Sequence, residues 1–384
     1  MRIAINAVSA TAGGGRTYLL NLARVLPEME PHQYLLYVPE DAARDLESLP
    51  AAFQVRTVGG AQRSYAARLL WEQGVLPREA KRWGAEVLLC VGNFCPLRSP
   101  VPVVLMSRNP LYFTPQFLGD LLRRGRWAQA VEHMAMTRLA LWSARSARIA
   151  VTPTAAMADM IRATAGNNGL PLRTIHHGFQ PWPGWLDRLL PQPPPPPPFR
   201  LLVVSHYNYF RNFETVFQAL SLLRRQCGPE AVHLTLTTHL APGLRPGGYD
   251  TTAAWQMMAR LGLQDSITML GAVPYDELPK AYGSAHAVIC PAYTESFSHT
   301  VVEAMFMEVP VVASGIGVHR EVAGDAALFF SPLDPAELAD RCRQLINDAA
   351  LRQRLRAAGV ARARQFSWRR HFQDLLGVLA EAAR

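Results

Sequence analysis

The stretch AVICPAYTESFSHTVVEAMFMEVPVVASG, residues 287–315, begins and ends with short apolar runs of the kind that form buried β-strands. A polar loop and a short helical pattern separate the two runs. Two strands with a helix between them are the repeating unit of a parallel sheet covered by helices. The stretch therefore predicts an α/β fold, and it leaves two glutamates, Glu295 and Glu303, to be explained.

The same alternation of short strands and helices recurs through the rest of the chain. Strands are predicted at Ile3–Val8, Tyr34–Val38, Val87–Val91, Val101–Met106, Arg148–Thr152, Leu201–Ser205, Val232–Thr237, Ile267–Leu270, Ala287–Cys290 and Val309–Ala313, and helices at Thr17–Leu26, Ser64–Gly74, Arg124–Ser146 and Phe213–Arg225. This pattern predicts two Rossmann-like α/β domains that face each other across a cleft. A ligand is expected in such a cleft.

A proline-rich segment divides the two domains. The six prolines of 193–198 predict a stiff, extended spacer inside a linker of residues 181–198. The N-terminal domain is expected to span 1–180 and the C-terminal domain 199–365. Residues 366–384 hold an amphipathic helix, Trp368–Ala383, which can pack on either domain, including back on the first.

The composition is that of a globular protein with a basic surface. Of the 384 residues, 49% are hydrophobic and 18% charged, which suffices for two cores. The net charge of +9 favours anionic partners such as nucleotides or acidic lipids. No segment resembles a nucleic-acid-binding module, so nucleic acid is not expected as a partner.

The cysteines and the N-terminus predict a cytoplasmic protein. The five cysteines, at positions 90, 95, 227, 290 and 342, are scattered without a C-x-x-C pair, which argues against zinc and against a disulfide framework. Residues 1–10 enter a strand pattern without a signal-peptide layout. No apolar run reaches the roughly 18–20 residues that cross a bilayer.

Three glycines, Gly13, Gly14 and Gly15, follow the first predicted strand and precede its helix. Glycines there let backbone amides approach a phosphate. The dinucleotide pattern G-x-G-x-x-G would need glycine where Tyr18 stands, although the acids at 40 and 41 keep an NAD site open. A glycine-rich turn without a ligand is the alternative.

His206 and Arg211 lie in the loop after the first strand of the second domain, where both can face a diphosphate. Arginine carries permanent charge and fixed donors, whereas histidine must be protonated to act as a cation. The alternatives are a solvated arginine and a histidine that caps a helix or lies in the core.

Glu303 fits a capping box with Thr300, in which its carboxylate bonds back to the helix start. That alternative leaves Glu295 unexplained. Helix amides at 297–301 can bind phosphate or sugar oxygens, and two carboxylates beside them suit sugar and ribose hydroxyls. Repulsion between phosphate and carboxylates would be offset by Arg211.

Nearly the whole chain resembles the retaining glycosyltransferases of family 4, which have the GT-B fold. Residues 261–339 carry the resemblance most specifically, with the E-x7-E motif, PVVAS and HREV. Further matches are the GGG–helix start, RLLWEQGVLP, VTPTAAMADMI and TIHHGF. The resemblance implies a retaining transfer of a hexose from a nucleoside diphosphate sugar to a glycan or lipid-linked acceptor, in cell-surface polysaccharide or glycolipid biosynthesis, without a cofactor. No Asp-x-Asp cluster appears near these loops, so the transfer is expected to need no metal.

The resemblance also implies roles for single residues. Glu295 would hold the donor sugar near the reacting carbon and count as catalytic, and Glu303 would hold the ribose. The first domain would bind the acceptor and the second the nucleotide sugar, with residues 271–275 framing the base. The remaining nucleotide-sugar contacts would be Gly13, Gly14, Gly15, His206, Arg211, Ser296, Phe297 and Ser298.

Three departures from the family's pattern leave other functions open. His206 replaces an arginine, Glu308 replaces a glycine, and Ser107 and Arg108 stand where many members have a histidine. A sugar-nucleotide epimerase or hydrolase and a non-catalytic sugar-nucleotide-binding protein are therefore alternatives. An NAD oxidoreductase is disfavoured by Tyr18 and by the motif at 291–315.

Basic and aromatic residues cluster twice in the first domain, which permits a peripheral contact with an anionic membrane. A solvated face with extended basic side chains is the alternative. The clusters are Arg63, Tyr65, Arg68, Trp71, Arg78, Lys81, Arg82 and Trp83, and then Arg123, Arg124, Arg126 and Trp127.

Overall fold

The computed structural model describes residues 1–10, 13–29, 31–46, 49–60, 64–166, 169–181, 185 and 198–384. Arg63 and all of the predicted linker except 181, 185 and 198 lie outside these residues. The chain divides into two compact units. The first unit comprises 1–178 with 367–384, and the second comprises 179–366.

The first unit is built on a sheet of seven parallel strands in the order β3-β2-β1-β4-β5-β6-β7. Its central strands are buried and rich in valine, isoleucine and leucine, as expected for a parallel sheet covered on both faces. The strands are β1 (Arg2–Asn6), β2 (Gln33–Val38), β3 (Phe53–Thr57), β4 (Val87–Cys90), β5 (Val103–Met106), β6 (Ile149–Thr152) and β7 (Leu172–Thr174).

Helices connect these strands, and several begin at a side chain that caps them. Ser64 accepts from the amide of Ala67, and Thr154 accepts from the amide of Met157. The helices are α1 (Gly13–Val25), α2 (Glu40–Ala43), α3 (Tyr65–Gly74), α4 (Leu76–Trp83), α5 (Pro115–Arg123), α6 (Trp127–Ser146) and α7 (Ala155–Ala165).

The second unit holds six parallel strands in the order β10-β9-β8-β11-β12-β13. Its strands are β8 (Phe199–Val203), β9 (Val232–Leu236), β10 (Ile267–Met269), β11 (Ala287–Cys290), β12 (Val311–Ser314) and β13 (Ala327–Phe330). Its helices are α8 (Phe213–Cys227), α9 (Thr252–Arg260), α10 (Leu278–Gly283), α11 (His299–Phe306), α12 (Gly317–Ala323), α13 (Pro335–Asn347) and α14 (Ala349–Ala363). The prediction of two parallel α/β domains is thus confirmed.

Both sheets reverse their strand order next to their first strand. In the first unit the chain builds β1, β2 and β3 toward one edge and then returns to place β4 on the other side of β1. In the second unit β11 returns to the free side of β8. Loops diverge at such a switch point, so a crevice opens at the carboxyl ends of the two strands.

The last helix, α15 (Trp368–Ala383), belongs to the first unit. Trp368, Phe372 and Leu375 are buried in the same core as the residues of β1. Tyr18 of α1 lies at the centre of the contact: its ring meets the rings of Trp368 and Phe372 at 5.6 Å, and its hydroxyl is 3.0 Å from Nε2 of His371. The first core therefore needs a segment that follows the second unit in sequence.

We predict that Gly178→Ala destabilises the first unit. An added Cβ would lie 2.2 Å from the backbone nitrogen of Trp368 and 2.4 Å from its Cα, so α15 would have to move. A cost of about 1–3 kcal/mol is expected for such overpacking. Thermal unfolding measures it, with Gly377→Ala in α15 as the matched control, since a Cβ there meets nothing within 4 Å. Equal melting temperatures for the two variants would contradict the prediction.

Candidate functional site

The carboxyl ends of β8, β11 and β12 bring together polar residues of the second unit. Because these three strands are neighbours and parallel, the loops that follow them leave the same edge of the sheet. Arg211 follows β8, Glu295 follows β11, and His319 follows β12 in helix α12. The switch point between β8 and β11 lies within this group.

Arg211 and Glu295 form an ion pair between the two loops at the switch point. Nη1 of Arg211 donates to Oε1 of Glu295. The two side chains are only 22% and 12% exposed, so water screens the pair little. The buried Nε of Arg211 has no hydrogen-bond partner. One donor of the guanidinium is thus left available beside the carboxylate.

Local hydrogen bonds hold Arg211 in this position. Asn208 caps a short 3-10 turn, Tyr209–Arg211, and Asn212 follows it in the left-handed region at φ 55°. Asparagine tolerates that conformation better than most residues. Its Nδ2 donates to the carbonyl oxygen of Pro291 at 3.1 Å, which ties the loop after β8 to the loop after β11.

His319 is fully buried behind Glu295, and the motif-based predictions gave it no role. Its Nδ1 lies 2.9 Å from the backbone oxygen of Ser314 and 3.0 Å from the hydroxyl of the same residue. A carbonyl oxygen only accepts, so Nδ1 carries the proton and Nε2 is an acceptor. Nε2 is buried without a partner. Burial lowers the pKa of His319, which keeps the ring neutral.

His206 lies in the same loop as Arg211 but does not add a second cation. Its side chain remains largely exposed. Partial loss of hydration and, after it, the charge of Arg211 lower the pKa of His206 below its usual value. The ring is therefore mostly neutral at pH 7, in contrast to the arginine that the family pattern has at this position.

Glu303 is buried in α11 and accepts hydrogen bonds from two tyrosines. The hydroxyl of Tyr282 donates to Oε2 at 2.8 Å, and the hydroxyl of Tyr275 donates to Oε1 at 3.3 Å. Burial raises the pKa of the Glu303 carboxyl, and the two phenols act in the opposite direction. The capping-box alternative is wrong, since α11 begins at His299 and has no side-chain cap.

The amides at 297–301, which were predicted to bind phosphate or sugar oxygens, lie in the loop before α11 and in its first turn. The helix begins at His299, and Ser298 stands before it at φ 65°. Phe297 is buried, with its ring 5.2 Å from that of Phe366. Ser296 and Ser298 are thus held in a turn whose anchor is an aromatic side chain in the core.

Glu308 is set apart from the other carboxylates. It lies two residues after the end of α11, in the left-handed region at φ 59°. This conformation favours glycine, which is the usual residue here in the family pattern. Its side chain is 45% exposed and pairs with Arg356 at 3.4 Å. Glu308 therefore contacts α14 through Arg356 and does not belong to the group of residues at the switch point.

In the first unit the three glycines form the start of α1 rather than a loop that precedes it. Gly13, Gly14 and Gly15 are its first three residues. Nη2 of Arg108 donates to the carbonyl oxygen of Gly14 at 2.5 Å, and its guanidinium lies 4.7 Å from the ring of Tyr18. Burial lowers the pKa of Arg108 to about 10, so it stays a cation at neutral pH.

Asn93 organises the loop in which the family's histidine is missing. Its Oδ1 accepts from the amides of Arg108 at 2.6 Å and Asn109 at 3.0 Å. The hydroxyl of Ser107 lies 3.4 Å from the same oxygen. Ser107 and Arg108 are therefore held in a hydrogen-bonded turn. A hydroxyl and a guanidinium do not act as general bases near neutral pH, so neither side chain replaces the histidine.

Glu72, within RLLWEQGVLP, is a second buried carboxylate and was not singled out by its sequence pattern. It is 4% exposed and accepts from Nδ2 of Asn6 at 3.1 Å, at the end of β1. Burial raises the pKa of its carboxyl. Glu72 thus lies beside the first unit's switch point, as Glu295 lies beside that of the second.

Neither a metal centre nor a disulfide is found in the part of the chain that the structure describes. No group of three or more histidines, cysteines or acids there is arranged to hold a metal ion. All five cysteines are free thiols, and four of them are buried.

Family comparisons match both units. Residues 12–181 match the family described as Glycosyltransferase Family 4, and residues 191–362 match the family described as Glycosyl transferases group 1. Together the two matches span most of the chain.

Curated relatives share shorter stretches. An O-antigen chain mannosyltransferase B of Escherichia coli is 36% identical over 121 residues, which is 32% of this chain and 32% of the relative. A D-inositol 3-phosphate glycosyltransferase of Salinispora tropica is 36% identical over 132 residues, or 33% of this chain and 27% of the relative. The matched stretch is thus about a third of the length of these relatives.

Solved structures share the fold over the full chain. A sucrose-phosphate synthase from Thermosynechococcus elongatus superposes with a TM-score of 0.76 at 19% identity, covering 100% of both chains. WaaG, a glycosyltransferase of lipopolysaccharide biosynthesis, gives 0.68 at 13% identity and 99% of both chains. An Anabaena protein in complex with UDP-glucose gives 0.69 at 18% identity, over 99% of this chain and 100% of its own. The predicted GT-B fold is confirmed.

We predict that Tyr282→Phe destabilises the second unit by about 1–3 kcal/mol at neutral pH, because the buried Glu303 carboxylate loses its shorter hydrogen bond. The loss should shrink at acid pH. Because burial raises the pKa of this carboxyl in the folded protein, it is protonated there before it is protonated in the unfolded chain.

Thermal unfolding at several pH values measures the effect, with Tyr34→Phe as the matched control. The hydroxyl of Tyr34 is buried without a partner, so its removal should be neutral or slightly stabilising. A Tyr282→Phe variant that melts like the wild type at every pH would show that Glu303 does not depend on this phenol.

Proposed function

This chain belongs to glycosyltransferase family 4, and we propose that it transfers a hexose from a nucleoside diphosphate sugar to a glycan or lipid-linked acceptor with retention of configuration. We place the reaction in cell-surface polysaccharide or glycolipid biosynthesis. The E. coli relative is an O-antigen chain mannosyltransferase, and the structural neighbour WaaG takes part in lipopolysaccharide biosynthesis, which supports that assignment.

One observation carries the proposal: polar atoms without partners lie beside the Arg211–Glu295 pair at the switch point. Nε of Arg211 is a donor and Nε2 of His319 is an acceptor, and both are buried. A buried polar atom without a hydrogen bond costs free energy that a bound ligand can recover. Donors and acceptors beside a carboxylate suit a ligand that combines phosphate oxygens with sugar hydroxyls.

Arg211 is the proposed contact of the donor diphosphate. Its guanidinium can pair with a phosphate in the bidentate geometry that arginine favours. In the absence of ligand its charge is balanced by Glu295. A diphosphate sugar would bring a partner for each member of the ion pair: phosphate oxygens for Arg211, and sugar hydroxyls for Glu295.

Glu295 is the proposed contact of the reacting sugar. A carboxylate accepts hydrogen bonds from hydroxyls and stabilises positive charge that develops on the sugar ring. As the bond to the diphosphate breaks, negative charge grows on the leaving group, where Arg211 and the amides of the loop 296–298 would stabilise it. His319 would accept a hydrogen bond from a hydroxyl of the same sugar.

Glu303 is the proposed contact of the ribose. A carboxylate has about four lone-pair sites, and the two tyrosine hydroxyls use two of them. The remaining two match the pair of hydroxyls on a ribose. Tyr275 closes the segment 271–275 that is proposed to frame the base, and its ring stacks on Trp185 at 5.1 Å.

The first unit is proposed to bind the acceptor, on the basis of the family resemblance. Gly13, Gly14 and Gly15 stay predicted nucleotide-sugar contacts on the same basis. Within the described residues no helix is both long and apolar enough to cross a bilayer. We propose a cytoplasmic enzyme, and the lipid-linked class of acceptor fits an enzyme that works at the inner face of a membrane.

We predict that one nucleoside diphosphate stabilises the wild-type protein in a thermal-shift screen against UDP, GDP, dTDP, ADP and NAD. A ligand at 100 times its dissociation constant adds about 2.7 kcal/mol. Arg211→Ala and Glu303→Gln should weaken binding by about 10- to 100-fold, as expected for lost hydrogen bonds to charged groups. Glu308→Gln is the matched control and should respond like the wild type.

The outcome also separates the alternative functions. A shift by NAD alone, or equal responses from all variants, would refute the donor site. If a nucleoside diphosphate binds but no transfer, hydrolysis or epimerisation of its sugar follows, the protein is a non-catalytic binder.

We predict that the purified protein forms a glycosidic bond whose anomeric configuration equals that of the donor, as read by NMR of the product. Transfer should persist in excess EDTA, because the charge on the diphosphate is proposed to be balanced by Arg211 and backbone amides rather than by a metal. Loss of activity in EDTA that magnesium or manganese restores would overturn metal independence. Rapid conversion of donor without acceptor would identify a hydrolase or epimerase instead.

A further inference from the structure

Helix α6 turns large apolar side chains to solvent. Its buried side packs Ala140 and Leu141 into the core of the first unit. On its exposed side Trp127 is 67% exposed, Val131 62% and Trp142 52%. Exposed tryptophans are costly to hydrate. Two on one helix therefore indicate a surface that binds a membrane or another protein.

The exposed residues form one continuous stripe. Successive members are separated by three or four positions, which returns each to the same side of a helix with 3.6 residues per turn. Twenty residues extend over about 30 Å, so the stripe is long and narrow. We define the α6 stripe as Trp127, Val131, Met134, Arg138, Trp142 and Arg145.

The surroundings of the stripe carry a strong positive charge. Between residues 121 and 148 the chain has six arginines and one acidic residue, Glu132. Asp120, just before this segment, pairs with Arg123 at 2.6 Å. Arg138 is exposed within the stripe, between the two tryptophans, and Arg145 is exposed one turn after Trp142, where its Nη2 donates to the carbonyl oxygen of Ala165 at 3.2 Å. The arginines are at 123, 124, 126, 138, 145 and 148.

We propose that the α6 stripe docks the protein on the surface of an anionic lipid bilayer, with α6 lying in the plane of the interface. Tryptophan concentrates at the boundary between headgroups and acyl chains, because its ring is apolar and its N–H is polar. Arginine extends its charged end to lipid phosphates while its stem stays in the apolar layer. The inference concerns binding to lipid and holds whether or not the proposed transfer reaction is correct.

Charge favours the bilayer over a second copy of the chain. In a two-fold symmetric pair the same patch lies on both partners, so arginines of one stripe would face arginines of the other. An anionic bilayer instead offers negative charge along the whole 30 Å of the helix.

The first basic and aromatic cluster does not form such a surface. Trp83 is 9% exposed, and its ring is covered by the guanidinium of Arg2 at 4.4 Å. Trp71 packs against the buried core, and Arg68 lies over the ring of Tyr65 at 4.7 Å. These aromatic side chains are used within the protein, so the lipid surface is assigned to α6 alone.

Co-sedimentation of the full chain with vesicles tests the proposal. The wild type should bind vesicles of phosphatidylglycerol mixed with phosphatidylcholine and bind pure phosphatidylcholine far more weakly. Trp127→Ser with Trp142→Ser should reduce binding by about tenfold or more, through lost apolar insertion. Arg138→Gln with Arg145→Gln should reduce it by about 25-fold, or about fivefold for each arginine.

Matched controls separate this site from general basicity. Arg225→Gln with Arg354→Gln removes two exposed arginines of the second unit and should bind like the wild type. Unchanged melting temperatures establish that the stripe variants are folded. Binding that is equal in all variants, or equal on neutral vesicles, would overturn the proposal. So would a wild-type dimer that the tryptophan variants dissociate, because the stripe would then be an interface between copies.

Discussion

In a parallel sheet that is buried on both faces, charged side chains are tolerated only beyond the ends of the strands. The central strands of both units consist almost wholly of buried apolar residues. The chemistry of this protein is therefore confined to the loops at one edge of each sheet. Where the strand order reverses, the loops diverge. In the second unit the ion pair between Arg211 and Glu295 connects the two diverging loops.

Burial and the nearest partner set the pKa of each carboxyl at the two sheet edges. Glu295 is paired with a cation, whereas Glu303 and Glu72 accept hydrogen bonds from neutral donors. Burial raises the pKa of both carboxyls, and the charge of Arg68 opposes this only in part at Glu72. When the hydrogen bonds to a carboxylate come from phenols and amides, its pKa depends on burial and hydrogen-bond geometry more than on a neighbouring charge. Such a group discriminates hydroxyls from other ligands, because a ligand without them leaves the buried oxygens unsatisfied.

The inner strands of both sheets were predicted from the sequence, whereas three of the four edge strands were not. Central strands such as β4, β6 and β11 have continuous apolar runs, since both of their faces are covered. The strands that went unpredicted are β3, β7 and β13, which lie at sheet edges. β3 and β7 are short and partly polar, so no apolar run marks them, whereas β13 is a four-residue apolar run, ALFF, that went unassigned.

The site could be predicted in the same uneven way. Arg211, Glu295 and Glu303 stand in motifs whose family resemblance assigns them roles. Their partners come from distant segments: Tyr282 lies 21 positions before Glu303, and no periodicity links the two. His319 stands in HREV, a match that carried the resemblance without assigning its histidine a role, and its buried, unpartnered Nε2 is what marks it in the structure.

The position of α15 has a consequence for how the protein is made. A ribosome completes residues 1–178 long before it synthesises 367–384, so the nascent first unit waits with the groove beneath Tyr18 uncovered. The second unit, 179–366, is continuous in sequence and can fold during that interval. Completion of the first core is thereby tied to the synthesis of residues 367–384, and chains stopped before them expose an apolar surface that chaperones and proteases recognise.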